Sequence, residues 1–321
     1  MGRGLLCTDT VAAALGDRVG DFDIVPIVGD TRVVADALAT AEVAYFSADA
    51  YPERTMHVIS TMLNAPSLRW LHTFSTGVDH PVFGTFLDKG VRLTTSAGAN
   101  ARPIARTVVM HLLALSRRLP SLIDAQRDHR WTPFPFDELE GSRVAVVGMG
   151  AIGREVIRLV TALGMQPIGV RRAVAGDEPC ECVPIARMHD VLPTVGALVL
   201  AVPLTAETTQ LIDEAAIAAL PVGALVINVA RGEVIDESAL AAAILSGRLG
   251  GAALDVFTTE PLPADSALWD LPNVILTPHS SGMTNQLPAR ATDRFVENLR
   301  RYVRGEPLVN EVLAATRMET R

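Results

Sequence analysis

The chain is poor in the residues that build cross-links, membrane spans and nucleic-acid surfaces. Three cysteines, Cys7, Cys180 and Cys182, occur among 321 residues. An odd count with one Cys-x-Cys pair in a stretch that reads as a polar loop makes neither a disulfide framework nor a metal-ligand set, and points to free thiols in a reducing compartment. No apolar run approaches the roughly 18 residues of a membrane span. The apolar start, Gly4-Leu-Leu-Cys7, is too short for the core of a signal peptide. Positive charge is also short: 28 lysines and arginines face 36 acidic residues, the net charge is -8, and Lys89 is the single lysine. That balance gives no electrostatic reason to bind nucleic acid or an anionic membrane, and a small anionic substrate would need a locally positive pocket. Repeats and low-complexity tracts are missing as well. Together the absences predict a soluble, cytoplasmic, metal-free globular protein.

What is present is 49% hydrophobic and 20% charged, in a chain long enough for two cores. Short apolar runs at 4–8, 23–28, 43–47 and 70–74 read as strands, with helical segments such as 31–39 and 54–63 between them. Strands alternating with helices predict a parallel sheet covered on both faces. The alternation restarts at 143 and supplies strands at 143–148, 166–170, 197–202, 224–230, 251–257 and 273–277, six in all, enough for a second doubly wound sheet. The expected fold class is therefore α/β with two doubly wound parallel-sheet domains. Residues 104–115, apolar on most faces, predict a long helix bridging the two. After Ser281 the tail carries Phe295, Leu299 and Val303 at helical spacing and no strand, so it is expected to return to the first domain. The boundaries expected are 1–99 with 283–321 for one domain and 100–282 for the other. The connection 128–141, with two prolines and Trp131, reads as an exposed loop or oligomer arm.

The most informative segment is Arg143-Val-Ala-Val-Val-Gly148-Met-Gly150-Ala151-Ile152-Gly153, a buried strand running into a glycine-rich turn and a helix. Gly148 supplies the tight turn, Gly150 lets the backbone approach a pyrophosphate, and Gly153 allows the helix to lie close to the strand, with free amides at the helix start facing the anion. The pattern alone is weak evidence. Its context strengthens it: Ile152, Val156, Ile157, Val160 and Leu163 follow at helical spacing, and Gly164 closes the helix. The second strand ends at Arg171 and Arg172, where a site for NAD would place a carboxylate for the ribose 2′-hydroxyl. Two guanidinium groups suit a 2′-phosphate, so the cofactor expected is NADP, with NAD possible.

Ligands of such a sheet bind beyond the carboxyl ends of its strands. Arg231, Glu260 and His279 each stand just after a predicted strand. Hydride transfer to a carbonyl needs a proton donor for the oxygen and a cation for an acidic substrate, which a histidine and an arginine supply, and a neighbouring carboxylate such as Glu260 fixes the tautomer and supports the protonated ring. The other histidines, at 57, 72, 80, 111, 129 and 189, fall away from these strand ends and read as structural.

With these residues in place, the chain resembles the D-isomer-specific 2-hydroxyacid dehydrogenase family over nearly all of its length. The matching segments are 65–79, 144–153, Ile227-Asn-Val-Ala-Arg231-Gly232, Asp255-Val-Phe-Thr-Thr-Glu260-Pro261 and 268–279. The resemblance implies a Rossmann cofactor domain beside a flavodoxin-like substrate domain in a hinged homodimer. It assigns the substrate carboxylate to the amides of Gly77 and Val78 and to Arg231, and catalysis to Arg231, Glu260 and His279. Cofactor contacts are implied at Gly148, Gly150, Ala151, Ile152, Gly153, Arg171, Arg172, Val202, Pro203, Val229, Ala230, Asp255, His279 and Ser281. Arg106 departs from the family, many members of which carry glutamate there. The arginine pair is the change associated with NADP-preferring glyoxylate and hydroxypyruvate reductases. The expected activity is NADPH-dependent reduction of a small 2-oxoacid. The alternatives are an NAD-linked phosphoglycerate-type dehydrogenase and a non-catalytic nicotinamide-sensing protein.

Overall fold

Residues 3–78 and 80–312 are described by a computed structural model. Asp79 of the quoted substrate-loop segment and residues 313–321 of the expected first domain lie outside the described residues. The chain divides into two units, Met1–Asn100 with Thr284–Arg321, and Ala101–Met283.

In the first unit, five strands, β1 (Arg3–Thr8), β2 (Phe22–Ile27), β3 (Ala41–Phe46), β4 (Trp70–Thr73) and β5 (Arg92–Thr95), form one parallel sheet in the order β2-β1-β3-β4-β5. Helices cover both faces, so Leu5, Leu6 and Cys7 are buried on successive positions, the mark of a central parallel strand. Four of the strands are those expected. β5 is additional: its sequence, Arg-Leu-Thr-Thr, has no apolar run, and it is a strand because β4 pairs with it, His72 opposite Thr94. Thr94 Oγ1 accepts from Trp70 Nε1 at 2.9 Å and lies 2.7 Å from His72 Nδ1, so its polar side chain is partnered in the core. The C-terminal helix, Leu287–Val303, belongs to this unit. It stacks Phe295 on Tyr45 with ring centroids 4.5 Å apart and on Trp70 at 5.6 Å. Val303, at the end of the same stripe, is exposed.

The second unit holds seven parallel strands: β6 (Arg143–Val147), β7 (Gln166–Arg171), β8 (Glu181–Pro184), β9 (Ala197–Leu200), β10 (Ala224–Asn228), β11 (Leu249–Leu254) and β12 (Val274–Leu276). Their order is β12-β11-β10-β9-β6-β7-β8. Six strands were expected here and seven are found. The additional one, β8, carries Cys182 and pairs with β7 as Gly169 opposite Cys182, so this half of the expected polar loop is the sheet edge. β6 shows why the apolar runs are continuous: Ala145 and Val147 enter one buried cluster, Val144 and Val146 the other. The chain leaves β6 in one direction and resumes at β9 on its other side, which opens a crevice at the carboxyl ends of these two strands. The long helix expected at 104–115 is Ala101–Ser116, and it buries Ala105, Val108, Leu112 and Leu115 against the sheet. No regular element falls between Arg127 and Arg143, and Trp131 there is 97% exposed.

Candidate active site

The glycine-rich turn sits at that crevice. Gly148 has φ 106, a left-handed conformation that favours glycine, and a Cβ on it would strike the carbonyl of Ala201, so the turn lies directly on the backbone leading to Val202 and Pro203. A Cβ on Gly153 would strike the carbonyl of Gly148, which is how closely the helix Ala151–Ala162 approaches the strand before it. Gly150 differs from both: a Cβ there would meet nothing within 4 Å. That helix has Gly150 as its N-cap and no side-chain cap, and Arg154 N–H donates to Gly150 O at 3.0 Å. The amides of Ala151, Ile152 and Gly153 therefore point out of the helix toward the open space over Gly150. Open space for a ligand beside outward amides and the positive end of a helix dipole fits a dinucleotide pyrophosphate.

Three strand ends carry the chemical groups. Beyond β11, Asp255 is buried and its carboxylate gathers the segment beyond β12: Oδ1 accepts from Thr277 Oγ1 at 2.6 Å, Ser280 N–H at 2.9 Å and Ser281 N–H at 3.1 Å. Its main-chain carbonyl accepts from His279 N–H at 2.8 Å. His279 is held by this clasp with φ 49, and its Nδ1 lies 2.8 Å from Glu260 Oε2. The other oxygen of Glu260 accepts from Phe257 N–H at 3.0 Å, so the carboxylate is fixed by its own loop before it meets the ring. Beyond β10, Asn228 stitches the turn, donating to Arg231 O at 2.9 Å and accepting from Ala230 N–H at 3.0 Å. Val229 and Ala230 are buried there. Arg231 Nη1 donates to Ala230 O at 2.7 Å. A Cβ on Gly232 would run into the backbone of Phe257 and Thr258, so the Arg231 turn packs against the loop that bears Glu260.

Residues 109–281, more than half of the chain, match the family of the D-isomer specific 2-hydroxyacid dehydrogenase, NAD binding domain. The chain belongs to the D-isomer specific 2-hydroxyacid dehydrogenases. Among similar proteins, D-3-phosphoglycerate dehydrogenase of Mycobacterium bovis is 31% identical over 302 residues, covering 92% of this chain and 55% of the relative. The chain thus spans about half the length of the curated relatives it matches. A D-isomer specific 2-hydroxyacid dehydrogenase of Xanthobacter autotrophicus Py2, solved with NADPH and MES, is 29% identical with a TM-score of 0.80, covering 98% of each chain. The NADPH-dependent glyoxylate/hydroxypyruvate reductase of Sinorhizobium meliloti, solved with NADP and sulfate, is 25% identical with a TM-score of 0.79, over 98% of this chain and 99% of that one.

The remaining residues expected from the sequence fall in distinct places. Gly77 and Val78 follow β4 in the first unit, where Ser75 Oγ donates to Gly77 O at 2.7 Å and Val78 leans on the core. Arg171 ends β7 and is engaged by carboxylates, Glu178 at 2.7 Å and Asp177 at 3.5 Å, while Arg172 meets the exposed Glu207, at 3.3 Å. Glu178 did not figure in the sequence reading of the arginine pair, because the loop's closure decides where it points. Arg106, the family departure, adds to the positive field that, after the Arg158 hydrogen bond, holds the Glu155 carboxyl below its ordinary range. His111, read as structural, is wholly buried in the field of Asp255, and neither ring nitrogen has a hydrogen-bond partner among the described residues. Burial keeps this ring neutral, with Asp255 opposing. Among the described residues no group of three or more His, Cys, Asp or Glu is placed to hold a metal ion, and no helix is long and apolar enough to cross a membrane.

Proposed function

We propose that this chain reduces small 2-oxoacids to D-2-hydroxyacids with NADPH, with glyoxylate and hydroxypyruvate as leading substrates. The observation that carries the reading is the His279–Glu260 pair, 2.8 Å apart beyond β11 and β12. When bound, the nicotinamide supplies the hydride. Glu260 takes the Nδ1–H of His279 and fixes the tautomer, which leaves Nε2 to protonate the substrate oxygen in reduction and to remove the proton in the reverse direction. Arg231, anchored on Ala230 O, is assigned to the substrate carboxylate and carbonyl oxygen, and the Gly77 and Val78 amides are assigned to the carboxylate on the strength of the family resemblance. Asp255 and Ser281 belong to the clasp that orients His279. Gly148 to Gly153 would hold the pyrophosphate, Val202, Pro203, Val229 and Ala230 would line the cofactor's path, and Arg171 and Arg172 would face the adenosine ribose. The Xanthobacter and Sinorhizobium relatives, solved with NADPH or NADP, support that cofactor.

An NAD-linked, phosphoglycerate-type dehydrogenase is the second reading. It is favoured by the 31% identical relatives and by the carboxylates around Arg171. A homodimer is proposed as the working form, because the helix Ala101–Ser116 and the next one, Leu119–Arg127, expose Met110, Leu113, Leu119, Leu122 and Ile123. Cysteines that are all free among the described residues support a reducing, cytoplasmic setting.

The test is oxidation of NADPH and of NADH against a panel of 2-oxoacids, with His279→Ala beside the wild type. The variant is expected to lose about a hundredfold or more in turnover while still binding NADPH, the scale of general acid catalysis. Turnover within threefold of wild type would remove His279 from the chemistry, and binding of NADPH without turnover of any 2-oxoacid would favour a nicotinamide-sensing protein.

A further inference from the structure

The loop from Arg172 to Cys180 closes on one inward carboxylate. Glu178 Oε1 accepts from Ala175 N–H and from Arg171 Nη1, both at 2.7 Å, and Oε2 accepts from Gly176 N–H at 2.8 Å. Its side chain is 4% exposed. Two main-chain amides and a guanidinium converging on one anion form the kind of concavity that binds phosphate in other proteins. The Ala175 amide, with the Arg171 and Gly176 donors, draws the Glu178 carboxyl down to about 2, so the group is ionised at every working pH. The loop is also tied to the glycine-rich turn: Arg154 donates to Met149 O at 3.2 Å through Nε and to Asp177 at 2.8 Å through Nη2.

We propose that Glu178 is a built-in anion that occupies the donors at the end of β7, so that discrimination between NADPH and NADH falls mainly on Arg172 and is held down by Glu178. This rests on the reading that the second unit binds a nicotinamide dinucleotide. The adenosine ribose of such a ligand lies at the end of the second strand of the unit, which is β7 and ends at Arg171. A 2′-phosphate arriving there meets a guanidinium already paired at 2.7 Å and amides already filled, and must also approach the charge of Glu178. Arg172 stands apart: its side chain is 78% exposed and its partner Glu207 is 70% exposed, so that pair yields readily to a stronger anion. Sequence alone gives the two arginines equal parts. The loop gives them unequal ones.

The experiment measures dissociation constants of NADPH and NADH by quenching of protein fluorescence, without substrate, at fixed ionic strength. Glu178→Gln keeps an oxygen and an amide of the same size and removes the charge. It is expected to tighten NADPH by about tenfold relative to NADH, the order of one charge-assisted hydrogen bond to phosphate regained against solvent screening. Arg172→Ala is expected to weaken NADPH more than Arg171→Ala does in the wild type, and Arg171→Ala is expected to matter more once Glu178→Gln is present. An NADPH-to-NADH ratio unchanged by Glu178→Gln overturns the proposal. Should that variant fail to fold, the wild-type comparison decides alone: an Arg171→Ala loss equal to or larger than that of Arg172→Ala overturns it too. Failure of the wild type to bind either nucleotide overturns the dinucleotide reading and this inference together, whereas binding of both with the ratio unmoved overturns this inference only.

Discussion

His279 shows how much of a site depends on side chains that do no chemistry themselves. A non-glycine residue at φ 49 holds a sparsely populated conformation, and here the Asp255 clasp over Thr277, Ser280 and Ser281 selects it. The positions of Arg231, Glu260 and His279 were legible because each follows an apolar run and so stands at a strand end. Asp255 was singled out by the family resemblance but not as a clasp, since its partners lie more than 20 residues along the chain. Glu178 was not legible at all, because its direction follows from a loop closure. His72 offers a test at this scale in the first unit. Both ring nitrogens are partnered, by Thr94 Oγ1 at 2.7 Å and Ser96 Oγ at 3.0 Å, and burial pulls the ring down from 6.5 to about 3. Folded His72 therefore stays neutral where the unfolded chain takes up a proton. Its contribution is complete above pH 6.5 and is lost as the pH falls from there toward 3, at about 1.4 kcal/mol per pH unit. Denaturant midpoints measured from pH 7.5 to 5 should fall less steeply for His72→Gln than for the wild type. Equal slopes would mean that the ring is not kept neutral by the fold.

Elements divide into those that local pattern announces and those that a neighbour creates. β9 is apolar throughout, and β6 and β10 are apolar but for Arg143 and Asn228 at their ends, because both faces are covered, and strands of this kind are visible in the sequence. β5 and β8, four residues each, lack that signal and exist by pairing with β4 and β7. Parallel pairing joins segments distant in sequence, so no local window contains it. The C-terminal helix lies between these cases: its period was plain, but its destination was inferred only from the lack of a following strand. Phe295 is the residue that seats it, stacked between Tyr45 and Trp70. Phe295→Ala is expected to destabilise the first unit by about 3 to 5 kcal/mol, the usual loss for a buried phenylalanine. A calorimetric transition within about 1 kcal/mol of wild type would show that the helix is held elsewhere, since so small a change lies below the range for a core aromatic.

At the scale of the whole molecule, the proposed homodimer would cover the apolar surface of the helices Ala101–Ser116 and Leu119–Arg127. Met110 and Leu113, one helical turn apart, are 53% and 44% exposed. Leu113→Glu with Met110→Glu is expected to convert a dimer to a monomer in light scattering, with dinucleotide binding retained. A wild type that is monomeric at micromolar concentration would assign that surface to something other than a second copy. The discontinuous first unit has one more consequence, and it concerns the birth of the protein. A ribosome that has just released Met283 has supplied every strand of the seven-stranded sheet, yet the first unit, begun earlier, still lacks Phe295, Val296 and Leu299 for its core. Tyr45 and Trp70 wait for Phe295 through the synthesis of the entire second unit, so the unit begun earlier is completed after the one begun later.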